Sequence, residues 1–269
     1  MVRKLLKEAS ERLVKSESPM LDARVLLAYA MGKSDAALIF TEPSDKEKEL
    51  FNEYISQREK GVPVAYILGE KEFMGLRFKL NYDTLIPRPD TECLVEKVIE
   101  ECKVKNPKIL DLCTGSGCIG ISLAHFIKES IVCLTDIADG AISAAKENAM
   151  LNGVESRTEV FRLDVLNDDI KGGYDIIVSN PPYIKSNIVK TLEVSEFEPN
   201  RALDGGEDGL IFYRIIAKKA YDALKKGGIL AFEIGYDQGE DVIALLCEFS
   251  SVKLYKDYGG NDRVIIAEK

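Results

Sequence analysis

The sequence predicts an α/β protein, an open and mostly parallel sheet with helices on both faces, preceded by a small helical bundle and joined to it by a β-hairpin. Three observations carry this. From Lys108 onward, short apolar runs alternate with helix-length segments, the pattern of parallel strands joined by crossover helices. The first sixty residues hold helical signals only. Between the two, residues 62–86 break into short β-prone runs (AYILG, EFMGLRFKL, DTLI) punctuated by glycine and asparagine. The expected boundaries are therefore 1–61 for the helical domain, 62–86 for the hairpin linker and 87–269 for the α/β domain.

In the helical part, Leu5, Leu6, Ala9 and Leu13 mark one apolar face. Ser18-Pro19 opens a second helix with an N-cap and proline at its first position, ending near Gly32. Ser34 leads a short segment through Phe40. Ser44-Asp-Lys-Glu47 is a capping box heading a helix toward Gly61. Nothing here has a nucleophile, a metal cluster or a phosphate loop, so this domain is expected to hold a partner or to pack on its neighbour.

Next, Ile86-Pro87-Arg88-Pro89-Asp90-Thr91-Glu92 reads as a rigid turn feeding a helix capped by Asp90, with Leu94, Val95, Val98 and Ile99 on its buried side. Arg88 and Glu92 project from it, as a surface ion pair or toward a substrate. Strands are expected at 108–112, 131–135, 159–163, 175–179, 229–234, 252–255 and 263–267. Helices are expected near 117–128, 138–152, 208–225 and 237–248. Residues 184–208 form a long charged, glycine-containing segment of the kind a compact domain tolerates as a lid or binding loop.

Composition narrows the function. At 269 residues the chain can bury a sizeable core. It has no run of eighteen apolar residues, and its charged, amphipathic start is unlike a signal peptide, so a cytoplasmic protein without membrane association is expected. Six scattered cysteines without a C-x-x-C pair, and a single histidine, His125, point to free thiols and to no metal. Residues 1–80 carry 14 Lys/Arg against 13 Asp/Glu, so the net charge of −9 falls on the remainder, where 22 basic residues meet 32 acidic ones. That acidity argues against direct nucleic-acid binding, which draws on phosphate neutralisation.

Two motifs carry chemistry. Asp111-Leu-Cys113-Thr114-Gly115-Ser116-Gly117 follows a strand and opens a helix, where glycine backbone can approach a ligand and free N–H groups face it. Asp136 lies nineteen residues beyond Gly117, the position from which a carboxylate grips ribose hydroxyls. Gly115-x-Gly117-x-x-Gly120 also matches a dinucleotide fingerprint, a weak signal by itself. Asp111 before the turn suits a cationic amino-acid moiety better than a pyrophosphate, and Asp164 with Val165 could face an adenine. Those features favour an adenosyl sulfonium over a nicotinamide.

The second motif is Asn180-Pro181-Pro182-Tyr183, directly after the apolar strand Ile176-Ile177-Val178. Two prolines cannot donate to a ladder, so the strand stops in a stiff loop at its carboxyl end, where open α/β sheets bind ligands. The Asn180 side-chain oxygen and the Pro181 carbonyl could hold both N–H bonds of a planar NH2 group while Tyr183 packs on it, which is catalysis by orientation. A plain Pro-Pro turn is the structural alternative. Adenine-N6 methylation of DNA, a nicotinamide-dependent oxidoreductase and a non-catalytic binding module are the functional ones.

Taken together, these motifs, the Ile86–Glu92 turn and the helical amino terminus resemble the bacterial peptide chain release factor glutamine N5-methyltransferase family along nearly the whole chain. The resemblance implies a Rossmann-like seven-stranded class I methyltransferase sheet. It implies methyl transfer from S-adenosylmethionine, leaving S-adenosylhomocysteine, to the glutamine of the Gly-Gly-Gln loop of class I release factors. Asn180, Pro181, Pro182 and Tyr183, with Arg88 and Glu92, would meet the substrate. Asp111, Cys113, Thr114, Gly115, Ser116, Gly117, Asp136, Asp164, Val165 and Asn180 would meet the cofactor. Cys113 stands where the family usually has glycine, and Val165 where it often has an aromatic. A monomer with its amino-terminal domain on the release factor is expected.

Overall fold

The computed structural model describes residues 2–269 apart from the side chains of Glu193 and Val194, and divides into two compact units, Met1–Glu70 and Lys71–Lys269. In the first, α1 (Val2–Arg12), α2 (Pro19–Ala30), a 3-10 turn (Asp35–Phe40) and α3 (Asp45–Glu59) enclose a core of Leu6, Leu13, Leu26, Leu27, Phe51 and Ile55. Ser44 accepts the Glu47 N–H while the Glu47 carboxylate takes the Ser44 N–H, so the capping box forms as the sequence predicts. Ser18 occupies the N-cap position of α2 without a side-chain bond. The half-buried Arg58–Asp22 pair, 2.7 Å apart, ties α3 to α2.

One expected strand is a helix. Ala65-Tyr-Ile-Leu lies in α4 (Val64–Leu68), which closes on Gly69 in the left-handed region at φ 70°. Pro63 supplies the fixed φ that starts a helix, and the aliphatic run packs on the first unit's core, so tertiary burial overrides β-propensity.

The second unit begins within a hairpin, β1 (Glu70–Phe73) and β2 (Leu76–Lys79), followed by α5 (Pro89–Glu101). Asp90 does not cap α5. Proline at the first position removes one N–H that a cap would serve, and Arg88 takes the cap position, leaving Asp90 in the first turn 3.6 Å from Arg263. Then come β3 (Lys108–Leu112), α6 (Cys118–Phe126), β4 (Ile131–Asp136), α7 (Asp139–Leu151), β5 (Thr158–Arg162) and β6 (Tyr174–Ser179). A single helical turn, α8 (Ser186–Val189), precedes α9 (Ile211–Ala223), β7 (Leu224–Glu233), α10 (Gly239–Leu245), β8 (Ser251–Lys256) and β9 (Asp262–Glu268).

The sheet runs β5-β4-β3-β6-β7-β9-β8. The first five strands are parallel, and β9 is antiparallel to both β7 and β8. On one face Leu94, Val95 and Val98 of α5 join Ile121 and Leu123 of α6, and on the other Tyr213, Ile216 and Ala220 of α9 join Val242 of α10. Burying each large aliphatic is worth about 1.5–3 kcal/mol. Every residue of β6 is buried, as its continuous apolar run predicts.

From β3 the chain winds outward through β4 and β5 on one side, then returns to place β6 on the other. Strand order thus reverses between β3 and β6, and the loops after these two strands splay apart into a crevice, the place where open α/β sheets take ligands. None of the helices among the described residues is long and apolar enough to cross a membrane. All six cysteines are free, with Cys93, Cys118 and Cys133 buried, Cys102 and Cys113 half-buried and Cys247 exposed. His125 stacks edge-on against its neighbour Phe126.

Candidate active site

The glycine turn after β3 is held from behind. Asp111 is fully buried, and its Oδ2 accepts the Thr114 hydroxyl at 2.6 Å and the Gly120 N–H at 2.9 Å. Its Oδ1 has no partner among the described residues, and burial raises its pKa to about 7. Gly120 is required for this grip, since a Cβ there would sit 2.4 Å from Leu134 and 2.9 Å from the Asp111 carboxylate. Asp111 therefore organises the turn and is not on the cavity wall, where the sequence placed it.

Three turn residues have positive φ: Cys113 at 59°, Gly115 at 53° and Gly117 at 83°. The left-handed φ of Gly117 is what calls for glycine at the head of α6, and a Cβ there would also press on the Ile121 side chain and on Ala145. Asn148, buried on α7, donates to the Ser116 carbonyl at 2.8 Å and exchanges two bonds with the Lys79 backbone, pinning the turn against β2. From the end of β4, Asp136 accepts the Gly115 N–H through Oδ2 at 2.9 Å and the Ala138 N–H through Oδ1 at 3.0 Å. Burial raises the pKa of Asp136 despite these bonds.

A cavity of about 460 Å³ opens beside the turn. Cys113, Thr114, Gly115, Ser116, Asp136 and Ile137 form one wall, and Leu163, Asp164, Val165 and Leu166 another. Asn180 and Pro182 border it from the end of β6, with Arg88 and Thr91 from α5 and the turn before it. That volume, with mainly apolar walls and a few aimed polar groups, is of the kind that holds a small organic ligand. Asp164 accepts from the Leu166 N–H at 3.0 Å and from Asn167 Nδ2 at 2.8 Å, and these bonds, Asn167 first, hold its pKa below the usual range.

Asn180 follows Ser179, which pairs in register with Leu112 of β3 and bonds the Leu112 carbonyl through its hydroxyl at 2.7 Å. The Asn180 amide is consequently one strand away from the glycine turn. Its Nδ2 donates to the Thr91 hydroxyl at 3.4 Å.

Several expected residues stand elsewhere. Gly117, Pro181 and Tyr183 do not line the cavity. The Tyr183 hydroxyl is directed at Glu233, 3.5 Å away, and burial drives its pKa upward. Gln238 donates to the Tyr183 carbonyl at 3.1 Å. Glu92 accepts the Met74 N–H at 2.7 Å and so braces the hairpin. Arg88 does border the cavity and is paired with the buried Glu198.

Arg201, which lines the cavity, and Glu198, which backs Arg88, carry no signal of their own in the sequence, although both sit in the segment 184–208 expected as a lid or binding loop. Glu198 accepts the Ile86 N–H at 3.1 Å as well as the Arg88 guanidinium, and Arg201 pairs with Asp83. Ser186, Arg201, Asp204 and Gly206 bring this segment onto the cavity. Thr91 and Glu233 were missed too, because only the fold reveals that they surround Asn180.

Comparison with known proteins agrees with this architecture. A family model described as the PrmC N-terminal domain matches residues 4–69, and one described as the methyltransferase small domain matches residues 89–198. A release factor glutamine methyltransferase of Clostridium botulinum is 43% identical over 94% of this chain and 93% of its own length. The Clostridium acetobutylicum protein of the same name is 40% identical over 98% and 94%, and that of Aquifex aeolicus 37% over 97% and 96%. The chain belongs to the release factor glutamine methyltransferase family.

Membership makes the chain a methyltransferase, and the sheet the class I methyltransferase sheet. A crystal structure of a ribosomal protein L11 methylase from Lactobacillus delbrueckii subsp. bulgaricus is 25% identical with a TM-score of 0.50, covering 68% of this chain and 80% of the other. The hMettl16 catalytic domain, 18% identical with a TM-score of 0.58, shares the fold over 72% and 76% of the two chains.

Proposed function

We propose that the enzyme methylates the side-chain amide nitrogen, N5, of the glutamine in the Gly-Gly-Gln motif of class I peptide chain release factors, using S-adenosylmethionine and leaving S-adenosylhomocysteine. One observation carries the reading: the Asn180 amide borders the same cavity as the Gly115 turn, one strand away from it. The family of the chain supports the substrate, and the cavity's chemistry supports the donor.

The residues present fit an adenosyl sulfonium. Asp136 keeps a lone pair on each oxygen after its two backbone bonds, enough to accept ribose hydroxyls at the cavity edge. Val165, Leu163 and Ile137 offer apolar surface for a purine, and the Thr114–Ser116 backbone would meet the amino-acid end. Bound there, the donor supplies a methyl carbon made electrophilic by the adjacent sulfonium.

Everything else falls to the chain. An amide nitrogen is a poor nucleophile because its lone pair is delocalised, so the enzyme's contribution is to aim it. The Asn180 Oδ1 accepts one N–H of the glutamine amide, so a dipole fixed by the fold stabilises positive charge growing on nitrogen, while Pro181, off the cavity wall, stiffens the loop. Nitrogen becomes acidic as its bond to carbon forms, and its proton leaves to water without a dedicated base. Tyr183, held by Glu233 and Gln238, stiffens the loop. Arg88 borders the substrate side, and Glu92 acts through the hairpin. The amino-terminal unit holds the release factor, and the enzyme works as a cytoplasmic monomer without direct nucleic-acid contact.

Incubation with methyl-labelled S-adenosylmethionine and a release factor, followed by mass mapping, tests this. A single methyl on the glutamine of Gly-Gly-Gln is expected, and label on any other residue would overturn the assignment.

A further inference from the structure

Behind the Asn-Pro-Pro-Tyr loop lies a buried polar cluster that the mechanism above leaves without a role in the reaction. Glu233 ends β7 and is only 2% exposed. Because Ser179 of β6 pairs with Phe232 of β7, the next residue of each strand, Asn180 and Glu233, stands at the same level of the sheet. Thr91, 2% exposed on the first turn of α5, completes the group. The Asn180 Nδ2 donates to the Thr91 hydroxyl at 3.4 Å, and these two side chains favour the charged form of Glu233 against burial. Oε1 faces the Tyr183 hydroxyl, and Oε2 has no hydrogen-bond partner among the described residues. Arg263 adds an attractive field and Asp90 an opposing one.

Glu233 does not border the cavity, so it has no route to the substrate. What it does have is acceptor capacity facing an amide. A carboxamide is nearly symmetrical in shape, and only its neighbours decide whether oxygen or nitrogen points outward. For Asn180 that choice is the reaction: Oδ1 facing the cavity can accept the N–H of an incoming amide, whereas Nδ2 there would repel it. A carboxyl group, which keeps an acceptor oxygen whether or not it carries a proton, set behind Asn180, draws Nδ2 inward. We infer that Glu233, with Thr91 beside it, is a positioning residue that locks the Asn180 amide with Oδ1 toward the cavity. This rests on the reading that Asn180 holds the substrate amide.

Glu233→Ala and Glu233→Gln, compared with wild type for kcat, KM, donor affinity and melting temperature on a release factor, test the inference. Loss of an orienting group acts on the transition state, so Glu233→Ala should lower kcat by about tenfold or more while donor affinity stays within about twofold. Glu233→Gln keeps a carbonyl that can accept from Asn180, and should retain kcat within about threefold. Wild-type kcat in Glu233→Ala, or equal losses in the two variants, would overturn the inference. Should Glu233→Ala not fold, Thr91→Val takes its place, with a fall in kcat of about fivefold expected and an unchanged kcat overturning the idea. A wild-type enzyme that leaves release factors unmodified would overturn the proposed function, whereas methylation that is indifferent to Glu233 would overturn the positioning role alone.

Discussion

Asp136 and Gly115 meet across two strand ends, the carboxylate Oδ2 accepting the glycine N–H at 2.9 Å. One side chain therefore shapes the turn and also faces the ligand cavity. Asp136→Ala should weaken S-adenosylmethionine binding by about ten- to a hundredfold, the worth of one or two charge-assisted hydrogen bonds. Titration calorimetry reads it directly, and unchanged affinity would remove Asp136 from the donor site.

Asn180→Ala separates binding from chemistry. The side chain borders the cavity from the β6 end, away from the Asp136 edge, and its proposed bond forms with the nucleophile. A fall in kcat of about 10²–10³ is expected, with donor affinity changed by no more than about threefold, as for a lost transition-state acceptor. Parallel loss of donor binding would assign Asn180 to the cofactor instead.

Most of this architecture could be read from the residues. The continuous apolar run of β6, the Gly115–Gly117 turn and the Pro181-Pro182 stop are local signals, and each formed where the pattern placed it. What could not be read depended on neighbours distant in sequence. Asp111 reads as a ligand because it precedes the turn, yet the close approach at Gly120 seals it inside. Tyr183 reads as an aromatic face packing on the substrate amide, but it does not line the cavity and its hydroxyl meets a buried carboxylate fifty residues on. Thr91 and Glu233 come together only through the β6–β7 register and the packing of α5. The helix at Val64–Leu68 was lost for the same reason, its β-prone residues being held by a core that local sequence does not display.

Glu198 anchors the segment that precedes α9 to the turn before α5. Its carboxylate is almost fully buried and serves both the Ile86 N–H and the Arg88 guanidinium. Glu198→Ala leaves that N–H without its acceptor, although Arg88 is half-exposed and can be rehydrated. A loss of about 1–3 kcal/mol in urea unfolding is expected, since one buried bond and one charge-assisted bond are removed. Hydrogen exchange should accelerate in residues 184–208 before the rest of the second unit, and uniform exchange would show that Glu198 does not restrain the segment.

The buried carboxylates give stability an unusual pH profile. Asp111 and Glu233 each have a folded pKa raised to about 7 from ordinary values of 3.8 and 4.5, burial being the largest cause in both. A raised pKa means that the folded state binds the proton more tightly than the unfolded chain. Stability from these groups is therefore complete below the unfolded values and is lost as pH rises through about 7. Asp136 is shifted the same way. Carboxylates lowered by partners, such as Asp208 beside Arg214 at about 2, lose their contribution only in stronger acid. The melting temperature should accordingly decline from about pH 4 to about pH 7 and then level off, whereas most proteins are level over the upper part of that range. Asp111→Asn keeps an acceptor for Thr114 and Gly120 but cannot ionise, so its decline should be shallower than that of the wild type. A variant curve parallel to the wild-type curve across that range would mean that Asp111 is not among the groups responsible.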